Sequence, residues 1–211
     1  FASSAILLPL VQGRTYIPQM WYVRSARRFA ILLRKEKEVL TIAIYHCSIK
    51  IISRGKGKSA VAAAAYRSGE KLIDERQGKE QDYTRKTGVE FTKICAPENT
   101  NPELLNRNHL WNTVEKVERR KDANLAREFE IAFPHELNAE QRQTMLNELC
   151  EELVKRHGVI VDAAIHAPHT QSGSDERNYH AHIMFTGRQI DLETGDFAKK
   201  RNRDFNKENS S

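Results

Sequence analysis

The chain has 211 residues, with 34 Lys and Arg against 28 Asp and Glu and a formal net charge of +6. That length supports one domain with a substantial core, and the positive balance suits a polyanion partner, although ordinary surface charge gives the same excess. No apolar run nears the roughly 20 residues of a membrane span, and three widely spaced cysteines without a CxxC pair (Cys47, Cys95, Cys150) exclude a disulfide framework and fit reduced thiols in the cytoplasm.

Residues 1–41 differ in texture from the rest and read as an extension. The chain starts at Phe1, as expected for a fragment or a processed form. Ala5 to Val11 is short, contains Pro9 and follows no basic segment, so it does not read as a signal peptide. A helix is expected over Tyr22 to Val39, among Arg24, Arg27, Arg28, Arg34 and Lys35. Ile42 to Ile52 (IAIYHCSIKII) is rich in β-branched residues and predicts a strand. SRGKGKS, from Ser53, is a flexible basic loop. The alanine-rich Ser59 to Arg67 predicts a helix, and Asp74 to Gly88 a polar loop or hairpin.

Pro102 to Lys121 predicts a helix with Leu104, Trp111, Val114 and Val117 along one side. Leu125 to Phe133 alternates and stops at Pro134, so it predicts a strand. Asn138 can cap a helix reaching Arg156, with Leu146, Leu149, Cys150 and Leu153 on one stripe. Val159–His166 and Tyr179–Thr186 predict two strands that can pair directly across the polar loop Pro168 to Asn178. The tail 199–211 is polar and expected to be disordered. There are no internal repeats. The sum is an α/β domain of the α+β type over 42–198, a mainly antiparallel sheet with flanking helices.

The residues that could carry chemistry follow from strand alternation. In NYHAHIMF, Tyr179, Ala181, Ile183 and Phe185 share one face and His180 and His182 the other. The preceding strand puts Ile160, Asp162, Ala164 and His166 together. If the strands pair, His166, His180 and His182 converge as a facial metal site with open positions. A hydrogen-bonded surface pair of histidines is the plain alternative, and His169, in the loop, is a bystander. Glu128 and Glu130 stand on one face beside Ala126 and Ala132, opposite Leu125, Arg127, Phe129, Ile131 and Phe133. Such a carboxylate can orient a ligating histidine or take a proton, or simply face water.

Lys50, Arg54, Lys56 and Lys58 surround Gly55 and Gly57, and that combination favours phosphate. GKGKS is not a phosphate-binding P-loop, because that motif needs glycine where Ile52 stands. Tyr66 follows four alanines and precedes Arg67, so little bulk hides it. A phenol with the usual pKa of about 10 is a poor nucleophile without a metal-neutralised phosphate or a nearby cation. A packing tyrosine is the commoner reading of any one such residue.

Together these segments resemble the relaxase domain of the MobA/MobL family, plasmid mobilisation proteins of the HUH class. The likeness rests on AIYH at Ala43, SRGKGKSAVAAAAYR ending at Arg67, DYTRK at Asp82 to Lys86, AREFEIAFPHEL at Ala126, and IHAPH followed by NYHAHIMF. It implies that His166, His180 and His182 hold a divalent metal, Mg²⁺ or Mn²⁺, the latter better suited to three imidazoles. It implies that Tyr66 attacks the scissile phosphate of single-stranded plasmid DNA at a transfer origin, forming a 5′-phosphotyrosyl link and freeing a 3′-OH. Glu128 matches an acid that orients a histidine, with Glu130 as second choice. Arg54, Lys56, Lys58 and Arg67 are the expected DNA contacts.

The partners implied are origin DNA and relaxosome accessory proteins, and the compartment is the cytoplasm. Such proteins begin near AIYH, so residues 1–41 suggest readthrough or a misplaced start, and 199–211 the opening of a further region. Two other readings remain at this point. A three-histidine hydrolase would cleave without Tyr66. A non-catalytic DNA-binding fragment would bind without turnover.

Overall fold

A computed structural model of the protein describes residues 29–35, 38–44, 47–168 and 178–202, the first two segments as backbone. Nine strands and three α-helices occur among these residues. β1 (Phe29–Lys35) and β2 (Glu38–Ile44) pair antiparallel in a sheet of their own. The helix expected over Tyr22 to Val39 is therefore corrected within the described part. FAILLRK and EVLTIAI are two short apolar runs on either side of a charged connection, which is a hairpin pattern rather than a helical stripe. The single strand expected over Ile42 to Ile52 is likewise two. β2 ends at Ile44, and β3 (Cys47–Ser53) belongs to another sheet; Tyr45 and His46 between them lie outside the described residues.

The main sheet contains β3, β6 (Val89–Cys95), β7 (Asn124–Ala132), β8 (Val161–His166) and β9 (His180–Thr186) in the order β3-β7-β9-β8-β6. Every neighbouring pair is antiparallel. β8 and β9 pair directly, with His166 opposite His180 and Ala164 opposite His182. A separate hairpin, β4 (Lys71–Asp74) and β5 (Lys79–Asp82), begins three residues before the stretch read as loop or hairpin and ends within it.

Each face of the sheet has its own core. On one, α3 (Ala139–His157) packs Met145, Leu146, Leu149, Cys150 and Leu153 against Ile131, Ala163, Ile165, Ala181, Ile183 and Phe185. Asn138 starts this helix with a reciprocal cap: its Oδ1 accepts from Gln141 N at 2.9 Å, and Gln141 Oε1 accepts from Asn138 N at 3.0 Å. On the other face, α1 (Ala60–Ser68) and α2 (Arg107–Val117) cover Ala126, Ile160 and Met184. Ala60, Val61, Ala64 and Ala65 are buried, and their small side chains let α1 lie close to the sheet.

The helix expected over Pro102 to Lys121 is interrupted. A 3-10 turn covers Pro102–Leu105, and Asn106 is extended, its Oδ1 accepting from His109 N at 3.0 Å to start α2 afresh. α2 ends at Val117, and Arg54 satisfies carbonyls at and just beyond that end. The guanidinium donates to Glu115 O at 2.8 Å, Arg120 O at 2.8 Å and Glu118 O.

A buried polar knot joins α2 to β8. Arg107 holds Asp162 through Nε and Nη2, both at 2.9 Å, and Trp111 Nε1 donates to Asp162 Oδ2 at 2.8 Å. Glu70 is paired with the same guanidinium. Asp162→Ala leaves a buried indole N–H unpaired and takes from Arg107 the more buried of its two carboxylates, so a loss of about 3 kcal/mol is expected. That corresponds to roughly 6–12 °C in Tm for a chain of this size, readable by thermal circular dichroism.

Candidate metal and nucleophile site

The three histidines meet on the face carrying α1. His166 ends β8, and His180 and His182 lie one residue apart on β9. One ligand nitrogen from each can be chosen so that all lie within 4.8 Å of one another. Ring centres are 4.7 Å apart for His166 and His182, 5.0 Å for His180 and His182, and 5.4 Å for His166 and His180.

His180 and His182 each have one nitrogen engaged and one left over, while His166 has Nε2 engaged and Lys86 Nζ 3.4 Å from Nδ1. His182 Nδ1 donates to Glu128 Oε1 at 2.6 Å, His166 Nε2 to the Arg67 carbonyl at 2.7 Å, and His180 Nδ1 to the Asn178 carbonyl at 3.2 Å. Because a carbonyl only accepts, the tautomers of His166 and His180 are fixed, and the opposite nitrogen keeps its lone pair. That is the arrangement a metal-ligating imidazole needs. Burial, followed by neighbouring positive charge, pushes His166 down to about 3 and His180 downward, so both stay neutral near pH 7. The donor set fits a divalent cation, and Glu128, Glu130 and His182 form a second cluster of suitable spacing.

Glu128 is fully buried on β7. Burial alone would raise its carboxyl, but hydrogen bonds from His182 and Arg67 override that and hold it at about 2. Arg67 grips it with two contacts, Nε to Oε1 at 2.6 Å and Nη2 to Oε2 at 2.5 Å, and also donates to Ala63 O at 2.7 Å. Glu130 is less enclosed; it pairs with Lys50, while His182 Nδ1 lies 3.8 Å away.

Tyr66 projects from the same turn of α1 as Arg67 and is 46% exposed. Its ring meets Tyr83 edge-on, with centres 5.4 Å apart. The sequence reading missed Lys86, which lies over this ring. Lys86 Nζ stands 3.7 Å from the Tyr66 ring centre, donates to Tyr66 O at 2.9 Å and approaches His166 Nδ1 at 3.4 Å. Contacts of 3.7 and 3.4 Å on one nitrogen put the ring centre within about 7 Å of that imidazole. Burial, then the Arg67 charge, lowers Lys86 to about 8. The available signal was its place at the end of DYTRK, three residues after the tyrosine that touches Tyr66.

Two expected DNA contacts are engaged elsewhere. Arg54 is bound to the α2 terminus and to Glu115 Oε2 at 2.7 Å, with its side chain only 10% exposed. Arg67 is bound to Glu128. Lys56 and Lys58 are exposed on the loop before α1. His169 and the side chain of Tyr45 lie outside the described residues.

With this geometry in view, the comparisons with known proteins are specific. The sequence model of the MobA/MobL family matches residues 58–211. The chain belongs to the MobA/MobL family. A mobilization protein MobL from Acidithiobacillus ferridurans is 40% identical over 164 residues, covering 69% of this chain and 43% of that protein. A probable mobilization protein MobA from Bifidobacterium longum is 35% identical, covering 77% of this chain and 28% of its own length. This MobA/MobL chain thus spans under half the length of these relatives. A solved structure published as "Molecular Basis of Vancomycin Resistance Transfer in Staphylococcus aureus" aligns with TM-score 0.67 and 32% identity, over 76% of this chain and 78% of that one. Among the described residues of the MobA/MobL chain, no helix is long and apolar enough to cross a membrane.

Glu128→Gln is expected to weaken Mn²⁺ binding 10- to 100-fold by calorimetry, since His182 loses its charged acceptor. The Glu128 carboxyl is held below its ordinary value of 4.5, so the folded state gains from it above about pH 4.5 and loses that gain as pH falls toward 2. Metal-free protein should therefore lose Tm through that window more steeply than Glu128→Gln does.

Proposed function

We propose that this chain is the relaxase region of a plasmid mobilisation protein, nicking one strand of transfer-origin DNA by tyrosine transesterification. The observation that carries the reading is the meeting of three metal-ready imidazoles with an exposed tyrosine, bridged by Lys86. The mobilisation proteins among its relatives support the biological setting.

His166, His180 and His182 would hold the cation, Mn²⁺ or Mg²⁺. When bound, it would polarise the scissile phosphodiester and offset its charge. The Tyr66 phenol oxygen attacks phosphorus and the P–O3′ bond breaks. The phenol proton leaves to solvent, and the departing 3′-oxygen takes up a proton as a free hydroxyl. The 5′-phosphate stays on Tyr66, and attack by a 3′-hydroxyl reverses the step. The Lys86 ammonium over the ring favours the charge that develops on the phenol oxygen. Glu128 keeps His182 aimed, and Arg67 keeps Glu128 ionised. Lys56 and Lys58, exposed before α1, are the cations we assign to DNA phosphates. Single-stranded origin DNA and relaxosome accessory proteins are the proposed partners, in the cytoplasm.

The test is a denaturing gel with end-labelled single-stranded origin oligonucleotides, with Mn²⁺ or EDTA. Wild type should give a metal-dependent, protease-sensitive adduct that survives SDS. Tyr66→Phe should bind DNA but give neither adduct nor nick. Cleavage that persists in Tyr66→Phe would point to a three-histidine hydrolase instead. Lys86→Met should lower the single-turnover cleavage rate about 10²-fold, in the range of lost electrostatic stabilisation, with DNA affinity within a few-fold of wild type.

A further inference from the structure

The segment between β5 and β6 touches Tyr66 with two side chains. Tyr83 sets its ring at 89° to the Tyr66 ring, with centres 5.4 Å apart. Lys86 Nζ stands 3.7 Å from the same ring centre. Tyr83 and Lys86 lie three residues apart, so one turn supplies both contacts. That turn has its own framework. Asp82 Oδ1 accepts from Thr84 N at 2.9 Å and from Thr84 Oγ1 at 2.7 Å, and Tyr83 O accepts from Lys86 N at 2.9 Å. Asp82 and Thr84 are exposed, so these bonds bury little; what they fix is the shape of the turn.

The turn is fastened to both halves of the site. Tyr83 N donates to Glu70 O at 3.2 Å, two residues past α1, and Lys86 Nζ donates to Tyr66 O at 2.9 Å. Further on, Gly88 O accepts from Ala167 N at 2.7 Å, and Val89 lies opposite His166. The segment therefore runs from the helix that bears the phenol to the strand end that bears a metal-ready imidazole. Such a brace has a use. Tyr66 is exposed, and a helical tyrosine has two common χ1 rotamers, near 180° and −60°. They send the phenol oxygen to different places, while attack on a phosphate held at the histidines needs it in one. Contact with DNA does not account for Asp82, because an exposed carboxylate repels phosphate. The turn does account for it.

We propose that the Asp82–Lys86 turn fixes the rotamer of Tyr66 before DNA arrives, with Asp82 and Tyr83 as positioning residues. Asp82 shapes the turn, and Tyr83 buttresses the ring. The inference rests on the reading of Tyr66 as the nucleophile. Two measurements test it, one of which needs no DNA. Protein labelled with carbon-13 tyrosine gives ring signals for Tyr66 that are assigned by their loss in Tyr66→Phe. In Asp82→Ala those signals should move toward the position of free tyrosine. In Asp82→Asn, whose amide oxygen accepts the same two bonds, they should stay with wild type.

The other measurement is single-turnover cleavage of a single-stranded origin oligonucleotide at saturating protein with Mn²⁺, beside DNA affinity from anisotropy. Asp82→Ala should cleave about tenfold more slowly, since a displaced reacting group costs up to roughly 10²-fold. It should bind DNA at least as tightly as wild type, having lost a negative charge. A variant that had merely lost its fold would lose binding together with rate. Asp82→Asn loses the same charge and should cleave at the wild-type rate. Tyr83→Leu should slow cleavage about tenfold at saturation, whereas Tyr83→Phe, which keeps the ring, should not. Tyr66 signals unmoved in Asp82→Ala overturn the inference whatever cleavage does. Moved signals with an unaltered rate overturn it too, as does equal slowing in Asp82→Ala and Asp82→Asn. Weaker DNA binding by Tyr83→Leu at an unaltered saturated rate makes Tyr83 a base-stacking surface and overturns its role here. Wild type whose Tyr66 signals respond as expected but which neither nicks nor joins DNA overturns the proposed function, and the positioning role with it.

Discussion

The site depends on one buried carboxylate. Glu128, on β7, is reached by α1 through Arg67 and by β9 through His182. The main chain of Arg67 then accepts from His166 at the end of β8. Three strands and the tyrosine-bearing helix are tied through the side chains of Glu128, Arg67, His182 and His166. A buried ion pair is poor evidence of net stability, because desolvation offsets the attraction. Here its value is geometric: the charge that orients one imidazole also sets the roll of α1, and that roll fixes where Tyr66 emerges.

The alanine run has its purpose in the same geometry. A helix with larger residues at Ala60, Ala64 and Ala65 would stand off the sheet, and Arg67 would not reach Glu128. Ser59 starts the helix by accepting from Ala62 N at 3.2 Å, and its hydroxyl donates to Asp74 at 2.5 Å. The αL residue Gly69, at φ 67°, ends the helix one turn after Tyr66. The nucleophile candidate therefore sits on a short helix fixed at both ends, with its neighbour clamped and its own ring open to solvent on one side.

Much of this was legible in the chain. Alternation in NYHAHIMF, VDAAIH and AREFEIAF assigned the histidines and glutamates to their correct face, since strand period leaves only two choices. Leu125, grouped with Phe129 and Ile131, packs instead with Ala126 under α1 and α2, where the β3–β7 register shifts. Helix α3 was legible from its stripe and from Asn138. β6 was not: VEFTKIC is an edge strand whose residues are mostly half-buried, so hydrophobic alternation carries little signal. The restart at Asn106 was hidden because Leu104 and Trp111, seven residues apart, keep one helical face across it. Composition could not separate a guanidinium facing DNA from one enclosed by carbonyls, and Arg54 was misjudged for that reason. Lys86 was invisible to periodicity, since it reaches the site from a turn that no repeat places there.

The direct pairing of β8 with β9 has a consequence for how such a site can vary. His166 and His180 face each other across a ladder, so their spacing is set by backbone hydrogen bonds and not by the number of residues joining them. Lengthening the connection costs little, since each doubling of a flexible loop adds only about 0.6 kcal/mol of closure entropy. A slip of one residue in the ladder is different in kind. It would turn His180 and His182 into the apolar core beneath α3 and bring Ala181 and Ile183 up in their place. The site tolerates insertion between its ligands and is intolerant of any change in register.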